Sequence, residues 1–299
     1  LKLKVLTANH CRFPAEGLNV VKAMPLVALS CIKCELVSLS PLVGKTTITS
    51  LQVSTNPISD LTPLRTLTHL GSLHVDETFV VDLGPLKSLK KLTRISAIQT
   101  KVSDLTPLKG LTLSEIDFCS TLVFDLSPLK GQKFRRIAFD NCPIMDLTGL
   151  EGTTIVEARL SGLKLTNLKP LKTSQIQILS AARCGDLADI TALANIRTLQ
   201  SVDVCSAKID SLEPLKGLDL RSVYFEYTAV ADLARLRGMK NLESIGLRGT
   251  KIVNFTDLVG LPLELVYCDV PLPQGLAQAL KTNEKLRFIN DRPKADILK

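Results

Sequence analysis

"LTHLGSLHVDETFVVDL", Leu67 to Leu83, places apolar residues at Leu70, Leu73, Val75 and Val80 and a polar Thr78 between them. Leu73 and Val75 flank one variable residue, the alternation of a strand with one buried face. The Asp82–Leu83 pair that closes the stretch opens a second phrase, which recurs as "DLTPLKGL" at Asp104–Leu111 and "DLSPLKG" at Asp125–Gly131. Neither phrase is long enough to bury a core alone. Its meaning lies in its repetition.

Aligned on that phrase, one column reads Ser38, Asp60, Asp82, Asp104, Asp125, Asp146, Asn167, Asp189, Ser211, Asp232 and Asn254, always 21 or 22 residues apart. A period in that range on a Leu framework predicts a leucine-rich repeat. The expected fold is an α/β solenoid with a parallel, concave β-sheet and short helical or 3-10 turns on the convex side. About thirteen repeats are expected over residues 1–270, with a C-terminal cap over 271–299. The alternating pairs run from Leu6/Ala8 through Leu73/Val75 and Ile245/Leu247 to Val266/Cys268.

The Pro of the phrase suits a first helical position, where a missing N–H costs nothing. The Ser or Thr before it is read as an N-cap. The Asp is read as holding the turn through backbone N–H groups, and the flanking leucines as core. Gly149, Ala192, Arg235 and Asp257 stand in place of the Pro and predict less rigid turns. An extra residue between Ala181 and Asp189 predicts a small bulge.

The hydrophobic fraction is 45%, aromatics are 4% and Trp is absent, so a large and aliphatic core is expected. No stretch of 18 apolar residues exists to span a membrane. The chain starts inside a repeat and without Met, and is expected to be a segment of a longer protein. Eight cysteines raise the question of disulfides or metal. Cys11, Cys34, Cys142 and Cys184 fall in the inward polar column that also holds Asn56, Thr78, Thr100, Thr121, Thr228 and Thr250. Cys31 and Cys268 take strand core positions, and Cys119 and Cys205 follow strands. The "CIKC" of Cys31–Cys34 obeys the repeat and has no second such pair, so no metal site is assigned to it. Free thiols, and with them a reducing, cytoplasmic setting, are expected.

The net charge of +8 draws attention to a basic column after the "PL" pair: Arg65, Lys87, Lys109, Lys130, Lys172, Lys216 and Arg237. It reads as a solvated face. The alternative is a footprint for nucleic acid or anionic surfaces, which the absence of interleaved aromatics weakens. Catalytic readings are weaker still. His74, Asp76 and Glu77 occupy ordinary variable positions, and Asp117 with Asp140 is flanked by Arg136 and Arg159 on an open sheet. No catalytic residue, metal ligand or cofactor is assigned, and the chain is read as no enzyme. All three tyrosines fall on or beside the exposed strand columns, in their last third. Tyr224, Glu226, Tyr227, Arg248, Tyr267 and Asp269 are therefore the candidate partner-binding residues, for an unknown protein or peptide.

Residues 29–260 resemble the 22-residue class of leucine-rich repeats found in bacterial internalins and phosphatase regulatory subunits. The D-L-[ST]-P-L-K-G phrase is similar to repeat regions of large planctomycete-type proteins, where such arrays often follow a serine/threonine kinase domain. The closing segment Tyr267–Lys299, with Ile289, Asn290 and Pro293, resembles the end of those arrays. The resemblance implies an interaction scaffold. No kinase residues occur in this chain.

Overall fold

The computed structural model describes residues 2–13 and 17–298. The chain forms two compact parts, one ending at Ile155 and one beginning at Val156. In the first, β1 (Val5–Thr7), β2 (Ala28–Ser30), β3 (Ser50–Gln52), β4 (Ser72–His74), β5 (Arg94–Ser96), β6 (Glu115–Asp117) and β7 (Lys133–Ala138) pair in that order, each parallel to the next. β8 (Thr154–Arg159) leads into the second part. It pairs with β9 (Ile178–Ser180), followed by β10 (Ser201–Asp203), β11 (Ser222–Tyr224), β12 (Ser244–Gly246) and β13 (Leu265–Tyr267), all parallel. The parallel strands with 3-10 turns between them are those of the expected leucine-rich-repeat solenoid.

The central residue of each strand enters the core. Leu51, Leu73, Ile137, Val202, Val223 and Ile245 are fully buried. Each such side chain contributes roughly 1.5–3 kcal/mol by leaving water. The core is mainly leucine, but not purely aliphatic: Phe118, Phe139 and Phe225 are also fully buried, and the first two rings stack at 6.1 Å. A repeat can accept Phe there because the position faces only its own stack.

The repeated phrase forms one 3-10 turn, such as Thr106–Leu108. Here one expectation is corrected. The Ser or Thr is the first residue of the turn and not its N-cap; Leu105 holds the cap position and makes no side-chain cap bond. The capping work falls to the Asp two residues earlier. Asp104 Oδ1 accepts the Thr106 N–H at 2.7 Å. All eleven members of the column make this bond, Ser38, Asn167, Ser211 and Asn254 included, so the task needs an acceptor and not a charge. The hydroxyl serves instead as a donor to that side chain, as from Ser127 Oγ to Asp125 and from Thr148 Oγ1 to Asp146.

The four positions lacking Pro still form 3-10 turns. At Gly149 the reason for the exchange is visible. A Cβ there would meet the Leu126 carbonyl carbon at 2.2 Å. The extra residue after Ala181 is taken up in a tight turn, with Leu187 N–H donating to Cys184 O at 2.9 Å.

After each of β1 to β12 the chain reverses through one left-handed residue, a glycine at Gly162 and Gly249. His10, Lys33, Thr55, Glu77, Gln99, Ser120, Asn141, Arg183, Ser206 and Tyr227 have φ between 53° and 61°. The conformation is held from the next repeat: Thr55 N–H reaches Asp76 O at 2.7 Å and Tyr227 N–H reaches Arg248 O at 2.7 Å. The following residue is the inward polar column. Buried Asn56 accepts from Cys34 and Leu36 N–H and donates to Cys31, Val53 and Ser54 carbonyls. Thr78, Thr100, Thr121 and Thr228 each donate to a carbonyl three residues back. Cys34, Cys142 and Cys184 play the same part through sulfur, donating to Ala8, Phe118 and Leu160 carbonyls. Cys11 departs from expectation. It is exposed, with its thiol 3.6 Å from Asn9 O.

Beyond β13 the pattern changes. A helix, α1 (Gln274–Lys281), buries Leu276, Ala279 and Leu280. β14 (Phe288–Ile289) adds parallel to β13, and β15 (Arg292–Pro293) turns back antiparallel to β14.

Candidate functional site

The exposed strand positions of β11, β12 and β13 are Tyr224, Gly246 and Tyr267, in direct register. The glycine between the tyrosines is decisive. A Cβ on Gly246 would meet Glu226 Cγ and Oε2 at 2.9 Å. With no side chain on β12, Tyr224 and Tyr267 close over the gap, their ring centroids 6.2 Å apart at 54°, and Glu226 lies down across the backbone. The tilted geometry is a favoured one for aromatic pairs.

Each polar tip is anchored. The Tyr224 hydroxyl and the buried Ser244 Oγ lie at 2.7 Å. Tyr267 OH donates to Asp291 Oδ1 at 2.8 Å, which, with burial second, pushes its phenol up to about 12. Arg248 Nη1 lies 3.8 Å from Glu226 Oε1, and its Nη2 donates to Asn290 Oδ1 at 3.0 Å. Asn290 also ties β14 to β13, accepting from Cys268 N–H and donating to Cys268 O. The Cys205 thiol donates to Glu226 Oε2 at 3.7 Å. Burial raises the Glu226 carboxyl above its usual range, and the guanidinium of Arg248 only partly offsets this. Burial likewise raises the thiols of Cys119 and Cys205, and takes Cys31 up to about 12 and Cys268 to about 11, the opposite of what a reactive thiol needs.

Of the six residues singled out in the sequence, Tyr224, Glu226, Arg248 and Tyr267 form this connected group. Asp269 lies at its edge, where its carboxylate accepts the Gly249 N–H at 3.0 Å. Tyr227 is set apart. It sits in the left-handed turn after β11, exposed, with its ring over Gly249; a Cβ there would meet Tyr227 Cδ1 at 2.5 Å. Sequence reasoning missed Gly246, Ser244, Asn290 and Asp291. Asn290 follows Ile289, the partner of Val266, and so stands outside the inward column that the period defines.

Elsewhere the strand face is occupied by its own contacts. Asp76 accepts from the hydroxyls of Ser54 and Ser96 and from the Ile98 N–H. His74 Nε2 lies 3.3 Å from Ser72 Oγ, and Glu77 lies in a left-handed turn. Among the described residues no three His, Cys, Asp or Glu side chains converge as a metal site. Asp117 is held 3.6 Å from Arg136, beside a small recess of about 100 Å3. A groove of about 710 Å3 opens on the helical-turn side where Ala194 replaces the usual Lys. Its Asp189 and Ser211 are committed to the backbone of their own turns. Of the basic column, Lys130 lies 3.7 Å from Glu151, and Arg237 Nε donates to Asp257 at 2.7 Å.

No family model matches the chain, and no curated protein matches its sequence. Solved structures do. The internalin InlF of Listeria monocytogenes is similar over 92% of this chain and 82% of its own, with a TM-score of 0.80 at 20% identity. The leucine-rich-repeat ectodomain of the Arabidopsis thaliana membrane receptor kinase GASSHO1/SCHENGEN3, solved in complex with Casparian strip integrity factor 2, is similar over 98% of this chain, with a TM-score of 0.62 at 13% identity. This chain spans only 44% of that ectodomain. At these identities the likeness establishes a fold. That fold is the leucine-rich-repeat solenoid that the internalin shares. No helix among the described residues is long and apolar enough to cross a membrane.

Proposed function

We propose that this chain is a non-enzymatic protein-interaction module that docks a partner protein or peptide on the strand face of β11–β13, through Tyr224, Glu226, Arg248 and Tyr267, with Tyr227 and Asp269 at the rim. The single observation that carries the reading is the tyrosine pair closed over Gly246. It presents two amphipathic rings, pre-set by hydrogen bonds, on a surface whose other strand positions are small or self-satisfied. Rigid aromatic anchors with a neighbouring Arg are what partner hot spots are made of. The surroundings are acidic. Asp203 and Asp269 lie near enough to Glu226 to raise its carboxyl against the pull of Arg248, and Asp291 accepts from the Tyr267 phenol, in a chain that is basic overall. A partner with basic side chains opposite this patch fits best.

The lysine column offers an alternative for nucleic acid or anionic surfaces. It is disfavoured because Lys130 and Arg237 are engaged by carboxylates of the chain itself. The planctomycete-type repeat resemblance and a reducing, cytoplasmic setting stay part of the proposal; that no disulfide joins the described cysteines supports the latter. The test is a pulldown with the wild type and a Tyr224→Ala/Arg248→Ala/Tyr267→Ala variant. Loss of specific partners from the variant supports the site, and retention of every partner overturns it.

A further inference from the structure

The first part of the chain exposes an apolar ridge that the strand-face reading does not use. It lies in the segments between the inward polar column and the helical turns. Phe79 and Val81 come from one repeat, Leu122 and Phe124 from the next but one, and Met145 from the repeat after that. They are 60%, 52%, 56%, 64% and 68% exposed. Single exposed hydrophobics are ordinary, but a contiguous set is not. Here the set forms two clusters on one edge, Phe79 with Val81 and Leu122 with Phe124 and Met145, on segments that stack repeat on repeat and with Lys101 and Ser103 in the repeat between them. Phe79 N–H donates to Ile58 O, Lys101 N–H to Val80 O and Leu122 N–H to Val102 O, at 2.8 to 3.1 Å. The intervening residues, such as Val80, Val102 and Val123, are fully buried, so the exposed ones cannot turn inward without displacing core. At the same two positions the second part carries Lys164 and Thr166, Lys208 and Asp210, Ala229 and Ala231, and Lys251 and Val253, of which only Val253 is a large exposed hydrophobic. The ridge is therefore a local property and no requirement of the repeat.

An acidic row runs beside it. Asp82, Asp104, Asp125 and Asp146 each follow the second ridge position directly, and all are exposed. Asp82 and Asp104 commit Oδ1 to their own turns, to Gly84 N–H at 2.6 Å and Thr106 N–H at 2.7 Å. The turn needs only an acceptor, as Asn167 and Asn254 show by making the same bond without charge. The carboxylates here thus carry charge beyond what the fold asks. Lys101 interrupts the ridge, and the column Lys87, Lys109 and Lys130 bounds the acidic row on its far side.

We infer that this edge docks an amphipathic helix of a partner protein, with apolar side chains on the ridge and basic ones toward the aspartate row. Spacing favours a helix. Stacked repeats rise about 4.8 Å, and a helix rises about 5.4 Å per turn, so one turn meets one repeat with a drift of roughly 2 Å over four repeats. Charge complementarity fixes which flank is basic.

The experiment uses the full chain and a synthetic helical peptide of Leu and Lys, about 18 residues long, with a charge-reversed Leu/Glu peptide as control. Binding is followed by fluorescence anisotropy at low and high salt. The Leu/Lys peptide is expected to bind. A Phe79→Ser/Phe124→Ser/Met145→Ser variant should weaken it about tenfold or more, and Asp82→Asn/Asp104→Asn/Asp125→Asn, which keeps every turn acceptor, about threefold to tenfold. Far-UV circular dichroism and thermal melts confirm that both variants fold. Tyr224→Ala/Tyr267→Ala should leave this binding unchanged, so failure here is separate from failure of the strand-face site. Equal binding of the Leu/Glu peptide, or indifference to the ridge variant, overturns the inference. So does sedimentation showing ridge-dependent self-association that the Leu/Lys peptide does not displace, because the occupant is then a second copy of the chain.

Discussion

The strand faces at β3–β5 and at β11–β13 share a backbone and a register, yet they do opposite things with it. At β3–β5 the exposed columns hold Gln52, Ser54, His74, Asp76 and Ser96, and Asp76 gathers two hydroxyls and an N–H. The hydrogen-bonding capacity is used within the sheet. At β11–β13 large rings stand over a glycine, and Arg248 pairs with Glu226. There the polar tips are tied down and the two rings are half-buried. A repeat fixes where side chains stand, and the residues that fill the face decide whether small polar groups or aromatic rings line it.

The largest expected effect checks that the two faces rest on equivalent cores. Leu73→Ala beneath β4 and Ile245→Ala beneath β12 both truncate fully buried side chains. Each should cost about 2–5 kcal/mol by urea denaturation. A cost at one site only would show that the faces differ in their foundation and not merely in their surface.

The inward column should separate the two regions next. Asn56→Ala leaves the N–H groups of Cys34 and Leu36 and three carbonyls without that side chain, and should cost about 2–4 kcal/mol. Thr228→Val removes one hydroxyl bond to Phe225 O and should cost about 1 kcal/mol. Similar costs would mean that the Asn is no tighter a clamp than the Thr. Binding then inverts the ranking. Tyr267→Ala should weaken a pulled-down partner about tenfold or more, while Ser96→Ala should leave it unchanged.

A smaller effect is electrostatic. The folded protein raises the Glu226 carboxyl above its ordinary 4.5, so the native state holds that proton more tightly than the unfolded chain. Stability from this group is then greatest below 4.5 and falls as pH rises through the folded value. Glu226→Gln should therefore flatten the pH dependence and gain on the wild type toward neutral pH, as read by urea denaturation from pH 4 to 7. No change in slope would show that Arg248 fully compensates the burial. The smallest effect is spectroscopic. One tyrosine phenol should titrate near 12 by ultraviolet absorbance, and Asp291→Asn should bring it back toward 10.0.

Much of this was legible in the sequence because a period is a global constraint. Once Asp60, Asp82 and Asp104 align, every strand, turn and inward residue follows. The hydroxyl of "DLTP" was misassigned because Ser and Thr are good caps on α-helices, whereas a 3-10 turn of three residues leaves that geometry to the Asp two positions earlier. The candidate patch was legible as a set of tyrosines in one column. Its decisive member, Gly246, was not, because a glycine signals by what it leaves out. Asn290 and Asp291 come from β14 and its turn, outside the period, so no alignment of columns could bring them beside Arg248 and Tyr267. The ridge was missed for a related reason: its positions fall between the columns that define the repeat.

The left-handed residue after each strand has a use for protein engineering. Ten repeats fill that position with a side chain, from His10 to Tyr227, and each gives up roughly 1 kcal/mol relative to glycine. Gly162 and Gly249 show that the scaffold accepts the simpler residue. Replacing exposed members such as Lys33, Glu77 and Gln99 by glycine would draw on a distributed reserve of thermostability, repeat by repeat, without touching the core, the strand face or the edge.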